Sequence, residues 1–198
     1  MRADARENRA RVLTVARELF AERGLEVPMA AIARRAGVGV ATLYRRFPTK
    51  ELLVMEAFAE QFAHCQACMD DALQDPDPWR GFSTVIEQVC LMQACDRGFT
   101  AAFTASFPDL HSEVRDRTWE RLEALVQRAK DSGHLRADFS PHDLTLVLLA
   151  NGGLSGMPAE VAVAASRRLV AYLLESFRVG TDVLPPPVPL SLDLVLNN

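Results

Sequence analysis

The chain has 198 residues, 49% of them hydrophobic and 24% charged, with a formal net charge of −4, enough apolar material for one large core or two modest ones. Every long apolar window is broken by a charge, Gly or Pro well short of the ~18 residues that span a bilayer, and residues 1–11 are charged with no apolar signal core. No membrane span or export signal is therefore expected, the chain is read as cytoplasmic, and Cys65, Cys68, Cys90 and Cys95 are read as thiols rather than a disulfide framework.

Almost every periodic segment reads as helix, so the fold class is all-α with about nine helices. Residues 4–23 form the first, with Val12, Ala16, Leu19 and Phe20 on one face and Gly24 as its stop. A short second helix has Pro28 in its first turn and Met29, Ile32, Ala33 and Ala36 at helical spacing. Gly37 supplies a turn, residues 39–46 form a third helix, and Pro48 ends it. Thr49 caps a long, largely buried helix over 50–73.

Asp75-Pro76-Asp77-Pro78 closes that helix and opens the next, which runs to residue 97 before Gly98 breaks it. A small helix follows over 99–107, ended by Pro108, then an amphipathic one over 109–132 ended by Gly133. Ser140-Pro141 starts a helix whose stretch 144–154 is apolar nearly all round, which implies burial on every side. The last helix, 158–179, carries Val161, Ala164, Ala165, Leu169, Tyr172, Leu173 and Phe177 in one stripe. From residue 181 the Pro-rich tail is expected to be extended.

The charge is unevenly placed. Residues 1–50 hold eleven Arg or Lys against five acids, a net of +6, and the remainder holds eleven against 21, a net of −10. A basic module joined to an acidic body suits a chain whose first part alone meets a polyanion. In that part, residues 38–51 read Val-Gly-Val-Ala-Thr-Leu-Tyr-Arg-Arg-Phe-Pro-Thr-Lys-Glu. A helix-turn-helix needs a scaffold helix, a tight turn and a second helix able to enter a groove about 12 Å wide. Ala33 and Ala41 are small where the two helices would cross, and Val38 is apolar where the turn would plug the core. Tyr44 offers a phenol to a phosphate, and Lys50 opens a helix whose N-terminus already favours an anion.

Here the chain resembles the TetR family of transcriptional regulators, through Val12-Leu13, Leu19-Phe20 and Gly24, then Ile32-Ala33 and Ala36-Gly37-Val38, then Thr42-Leu43-Tyr44, Phe47 and Lys50-Glu51-Leu52. Residues 133–138 with Ser140-Pro141 are similar to a junction common in the family's C-terminal domains. The resemblance implies a three-helix DNA-binding domain over 1–50, a helical effector-binding and dimerisation domain over 51–180, and leaves 181–198 as tail. It also implies a homodimer on a double-stranded DNA operator that lets go when a small molecule binds.

Carried over by position, Thr42, Tyr44 and Lys50 contact phosphate, with Gly39 at the start of the reading helix. Ala30, Val40, Ala41 and Arg45 face bases, with Arg46 close by. The chain departs from the family pattern at Pro28 and Gly39, where a capping hydroxyl is common, and at Ala30, Val40 and Ala41, which offer bases no hydrogen bond. Readout is therefore expected through thymine methyls at Val40 and Ala41, guanine contact by Arg45 or Arg46, and DNA shape.

Beyond residue 50 the signals are weaker. Phe62, Met69, Met92, Phe99, Phe103, Phe107 and Trp119 are candidates to line an apolar effector pocket, with Gln93, Asp96, Thr100, Thr104 and Asn151 as polar contacts; core packing is the competing account of each. The last two helices are the candidate dimer surface, with Ala150, Gly152, Gly153, Ala162 and Ala165 allowing close approach, and bundle core is the alternative. Cys65 and Cys68 share a helix face beside His64 and Met69, half of a tetrahedral metal site whose other half would have to come from Cys90 or Cys95.

Plain burial of thiols competes with that reading, and no metal or cofactor is assigned. No Gly-rich phosphate loop, HExxH or Gly-x-Ser-x-Gly is present and the four histidines are scattered, so an enzyme is not expected. The resulting expectation is a ligand-responsive regulator, a repressor released by a small, largely apolar effector. The alternatives are a metal- or thiol-responsive sensor using Cys65 and Cys68, and then an architectural DNA binder.

Overall fold

The computed structural model describes residues 2–96, 98–99, 112–180 and 184–190. Among them are nine α-helices: α1 Arg2–Arg23, α2 Met29–Arg35, α3 Val40–Arg46, α4 Lys50–Ala57, α5 Ala59–Gln74, α6 Pro78–Cys95, α7 Ser112–Asp131, α8 Asp143–Gly152 and α9 Ala159–Phe177. A 3-10 turn, Gly153–Gly156, links the last two. The expected small helix over 99–107 falls almost wholly outside the described residues.

The punctuation of the chain follows its residue chemistry. Gly24, Gly37 and Gly133 end α1, α2 and α7 at φ of 71°, 67° and 74°, a region closed to most L side chains. Thr49 caps α4 by accepting from Leu52 N at 3.2 Å, and Asp77 caps α6 by accepting from Arg80 N at 3.1 Å, each cap worth about 1 kcal/mol. Pro28 stands at the N-cap of α2 rather than inside its first turn, and neither it nor Gly39 before α3 caps with a side chain.

Two cores result. The first joins α1 to α4: Val12, Ala16, Leu19 and Phe20 meet Ile32, Ala33, Leu43, Phe47, Leu53 and Val54. It extends past residue 50 to Ala57 and Phe58, and it takes in Phe99 from beyond α6. The second lies around α6, which touches α5, α7, α8 and α9, and gathers Phe82, Ile86, Cys90, Leu125, Val126, Leu135, Phe139 and Val147. Arg128 of α7 donates to the carbonyls of Ala72 at 3.1 Å and Asp75 at 2.8 Å, closing the end of α5.

Three expectations are corrected. The helix expected over 50–73 breaks at Phe58, whose φ of −112° and ψ of 17° are off helical; its ring is wholly buried between Phe20 and Phe99, at centroid distances of 6.2 and 6.0 Å. Packing both neighbours bends the chain there. The helix expected from Ser140-Pro141 starts at Asp143, because Asp143 accepts from Ser140 N at 2.7 Å and makes those residues a turn. Nor is that helix buried all round, since Leu146 is 49% exposed.

Residues 133–138 are tied to the end of α9 by Arg136 N to Phe177 O and Val179 N to His134 O, both 3.0 Å. In the tail, residues 184–190 carry neither helix nor strand, and His142 Nδ1 donates to Leu190 O at 3.0 Å.

Candidate nucleic-acid interface

The turn between α2 and α3 is built almost entirely from backbone. Gly37 N donates to Arg34 O at 3.2 Å and Val38 N to Ala33 O at 3.0 Å, the paired bonds of a Schellman ending. Arg11 of α1 adds a third tie, its Nε donating to Ala36 O at 2.9 Å. That bond joins the first helix to the corner that aims α3. As a sequence, Arg11 was one basic residue among eleven, and only the packing of α1 across α2 shows what it does.

Helix α3 is anchored by Leu43 and Phe47, each 1% exposed. One turn apart on the inner face, they hold the helix while the other side stands in solvent. Val40 and Tyr44 are 43% and 47% exposed, large apolar bodies left outside a chain able to bury them. Ala30, Gly39, Ala41, Thr42, Arg45 and Arg46 are exposed as well. The residues expected to read and grip DNA are therefore open to solvent, apart from Lys50, which is half-buried at the head of α4.

The structure also sorts the basic residues. Arg35 is committed to Glu22 at 3.0 Å and Glu18 at 3.3 Å, and those two acids raise its guanidinium pKa further, Glu22 more than Glu18. Arg9 pairs with Glu56, linking α1 to α4. Arg34, Arg45, Arg46 and Lys50 make no ion pair among the described residues, so a patch of cations lies uncommitted around α3. Beside Lys50, the Glu51 carboxyl is held below its usual range by its own backbone N–H and by the Thr49 hydroxyl.

The candidate effector residues do not converge. Phe62, Met92 and Phe99 lie together at the first core, with the Phe62 and Phe99 rings 5.4 Å apart, and Asp96 accepts from Phe99 N at 2.9 Å. Met69 packs on the second core. Trp119 stands apart, donating to Glu123 at 2.7 Å with its ring tilted against His142 at a centroid distance of 5.1 Å. Gln93 and Asn151 bond to each other in the interior, where Asn151 Oδ1 is buried with no hydrogen-bond partner among the described residues. Phe103, Phe107, Thr100 and Thr104 lie outside the described residues.

A cleft of about 620 Å³ opens between α1, α5, α6 and α9, lined by Arg17, Ala21, Gln61, Asp96, Met157 and Ala159 among others. Only Asp96 belongs to the expected pocket. Among the described residues, no three His, Cys, Asp or Glu side chains are gathered to hold a metal ion. Nor is any helix there long and apolar enough to cross a membrane.

An exposed helix rooted by two buried side chains, aimed by a backbone-built corner and ending in Arg45 and Arg46, which make no ion pair among the described residues, defines a helix-turn-helix unit of the DNA-binding class. The family model for bacterial regulatory proteins of the tetR family matches residues 12–57. A TetR transcription regulatory protein of Mycobacterium vanbaalenii is 32% identical, over 90% of this chain and 99% of that one, with a TM-score of 0.50. A TetR regulator of Streptomyces coelicolor is 26% identical over 86% and 98%, with a TM-score of 0.54.

An HTH-type transcriptional regulator of Staphylococcus aureus is 49% identical over 51 residues. That match spans 25% of this chain and 28% of the relative's length. The chain belongs to the TetR family of transcriptional regulators.

Proposed function

We propose that this protein is a cytoplasmic transcriptional repressor that binds a palindromic operator as a homodimer and is released by a small, largely apolar effector. The observation that carries the reading is the surface of α3: Val40, Ala41, Thr42, Tyr44, Arg45 and Arg46 stand out from a helix pinned by Leu43 and Phe47. In this reading Thr42, Tyr44 and Lys50 hold phosphates, while Val40 and Ala41 meet thymine methyls. Arg45 or Arg46 donates to guanine, and Ala30 faces the bases without a hydrogen bond to offer them.

Dimerisation is assigned to α8 and α9. Leu146 and Val161 are about half exposed in the single chain, beside small residues such as Ala150 and Gly153 that permit close approach. An interface there explains why a helix of nearly continuous apolar sequence leaves one side uncovered. The effector is assigned to the body over residues 51–180, with residues 1–50 as the reading unit and 181–198 as tail. Asn151 Oδ1, which has no hydrogen-bond partner among the described residues, supports an effector that brings an N–H or O–H donor toward α8.

Selecting bound fragments from genomic DNA tests the reading. A palindrome with half-sites about one helical turn apart, or somewhat more, is expected. Recovery of unrelated sequences at equal affinity would replace it with an architectural DNA binder.

A further inference from the structure

The last carbonyls of a helix have no donor within it. At the end of α2, the backbone N–H groups of Ala36, Gly37 and Val38 return to Ile32 O, Arg34 O and Ala33 O, and the Ala36 carbonyl lies outside that set. Its peptide leads into Gly37, held at a φ of 67°. The donor comes from α1: Arg11 Nε reaches Ala36 O at 2.9 Å, and Nη2 of the same guanidinium donates to Asn8 Oδ1, one turn earlier, at 2.5 Å. A guanidinium is planar, with its N–H groups in a fixed fork, so the Asn8 bond sets the direction in which Nε points.

The peptide at Ala36 is the pivot of the corner between α2 and α3. Gly39 gives α3 no side-chain cap, so the direction of α3 is set by that corner and by Leu43 and Phe47, which root it. The other tie between α1 and α2, Arg35 with Glu18 and Glu22, joins exposed side chains and bears on the body of α2, not on the carbonyl of the turn. Contacts to base edges demand placement within about 0.5 Å and 10–20°. An exposed arginine in the basic part of a chain is ordinarily read as a phosphate contact, yet Arg11 Nε is turned inward, to the carbonyl of a residue 2% exposed.

We propose that Arg11, oriented by Asn8, is a positioning residue for DNA recognition: its bond to Ala36 O fixes the angle at which α3 leaves the turn, and Arg11 itself touches no phosphate. The proposal rests on α3 being the reading helix. The role requires of Arg11 an N–H at the right reach and not a charge. Glutamine supplies one, because its side-chain nitrogen stands as many bonds from Cα as Arg11 Nε does, and methionine fills similar space with no donor.

The test uses the full chain and fragments selected from genomic DNA, titrated alongside unrelated DNA at several salt concentrations, with helicity checked by circular dichroism. Arg11→Met is expected to bind the selected sequence about 2–30-fold more weakly, the range through which residues outside a contact act on it, with unchanged affinity for unrelated DNA and an unchanged salt slope. Arg11→Gln is expected to bind both as the wild type does. Either of two results overturns the proposal. One is that both variants weaken all DNA alike and lower the slope by about one, as for a lost phosphate contact. The other is that Arg11→Met unfolds at lower urea while binding DNA as the wild type does. Should Arg11→Met lose its helices, Asn8→Ala takes its place: weaker binding of the selected sequence at an unchanged slope supports the proposal, and unchanged affinity overturns it. A wild type that prefers no sequence fails the reading of α3 itself, which is seen before any variant is made, and the proposal falls with it.

Discussion

Asn151 Nδ2 on α8 donates to Gln93 Oε1 on α6 at 2.7 Å, in the interior of the bundle. The same nitrogen donates to Cys90 O at 3.0 Å, and Ser166 Oγ of α9 reaches that carbonyl at 3.3 Å. One polar node therefore links three helices, and it sets their register more narrowly than apolar contact can, because a shift by one residue would leave buried polar groups unpaired.

Replacing Asn151 by Leu removes the donor to Gln93 Oε1 and to Cys90 O, since leucine has none. The expected loss is about 1–3 kcal/mol, read as a lower urea midpoint with an unchanged slope. A loss below about 0.5 kcal/mol, the range of ordinary surface substitutions, would mean that the node does not hold the helices together.

The proposed reading gives Arg45 a base and Lys50 a phosphate, and substitution separates the two roles. Arg45→Ala is expected to relax preference at one base pair by about 1–3 kcal/mol. Lys50→Ala weakens all sequences alike and lowers the salt slope of binding by about one. Titrating labelled operator variants at several salt concentrations measures both effects. Equal weakening of every sequence by Arg45→Ala would remove its base contact.

Gly98 is where the chain beyond α6 meets α1. A Cβ there would lie 2.9 Å from Ala21 N and 3.1 Å from the Phe58 ring, whereas one on Gly153 would meet nothing within 4 Å. Gly98→Ala is therefore expected to cost about 1–3 kcal/mol through overpacking. Within the single chain Gly153→Ala should cost nothing, or stabilise by about 0.4–1 kcal/mol through the unfolded chain, so any loss it causes would fall on the dimer surface proposed for α8 and α9. Thermal unfolding of the pair checks the contrast.

Burial pushes the Cys90 thiol up to about 12, well above the roughly 8.5 of an unfolded chain. A raised folded value means that its contribution to stability is complete below about pH 8.5 and is lost as pH climbs toward 12, because the unfolded chain ionises first. Cys90→Ala should flatten the fall in stability over that range. At pH 8 a thiol reagent should label exposed Cys95 first and reach Cys90 only on unfolding.

The helix order and the reading motif were legible along the chain because their causes are local. Glycines with positive φ, a Thr49 cap, an acid–proline entry and apolar spacing act within one or two turns. Gly37 and Pro48 marked off α3 along the chain, while its rooting by Leu43 and Phe47 came from the packing. Local chemistry also announced the family, whose signature lies in one continuous stretch.

What waited for the tertiary structure were the properties that depend on partners distant in sequence. Arg35 is spent on Glu18 and Glu22 while Arg45 is not, and no sequence spacing separates the two. Arg11 supports the turn only because α1 crosses α2. The helix break at Phe58 follows from rings at positions 20 and 99, and the exposure of Leu146 from which sides α6 and α9 happen to cover. Hydrophobic pattern states that a side must be buried; only packing decides against what, and which charges are left over for DNA.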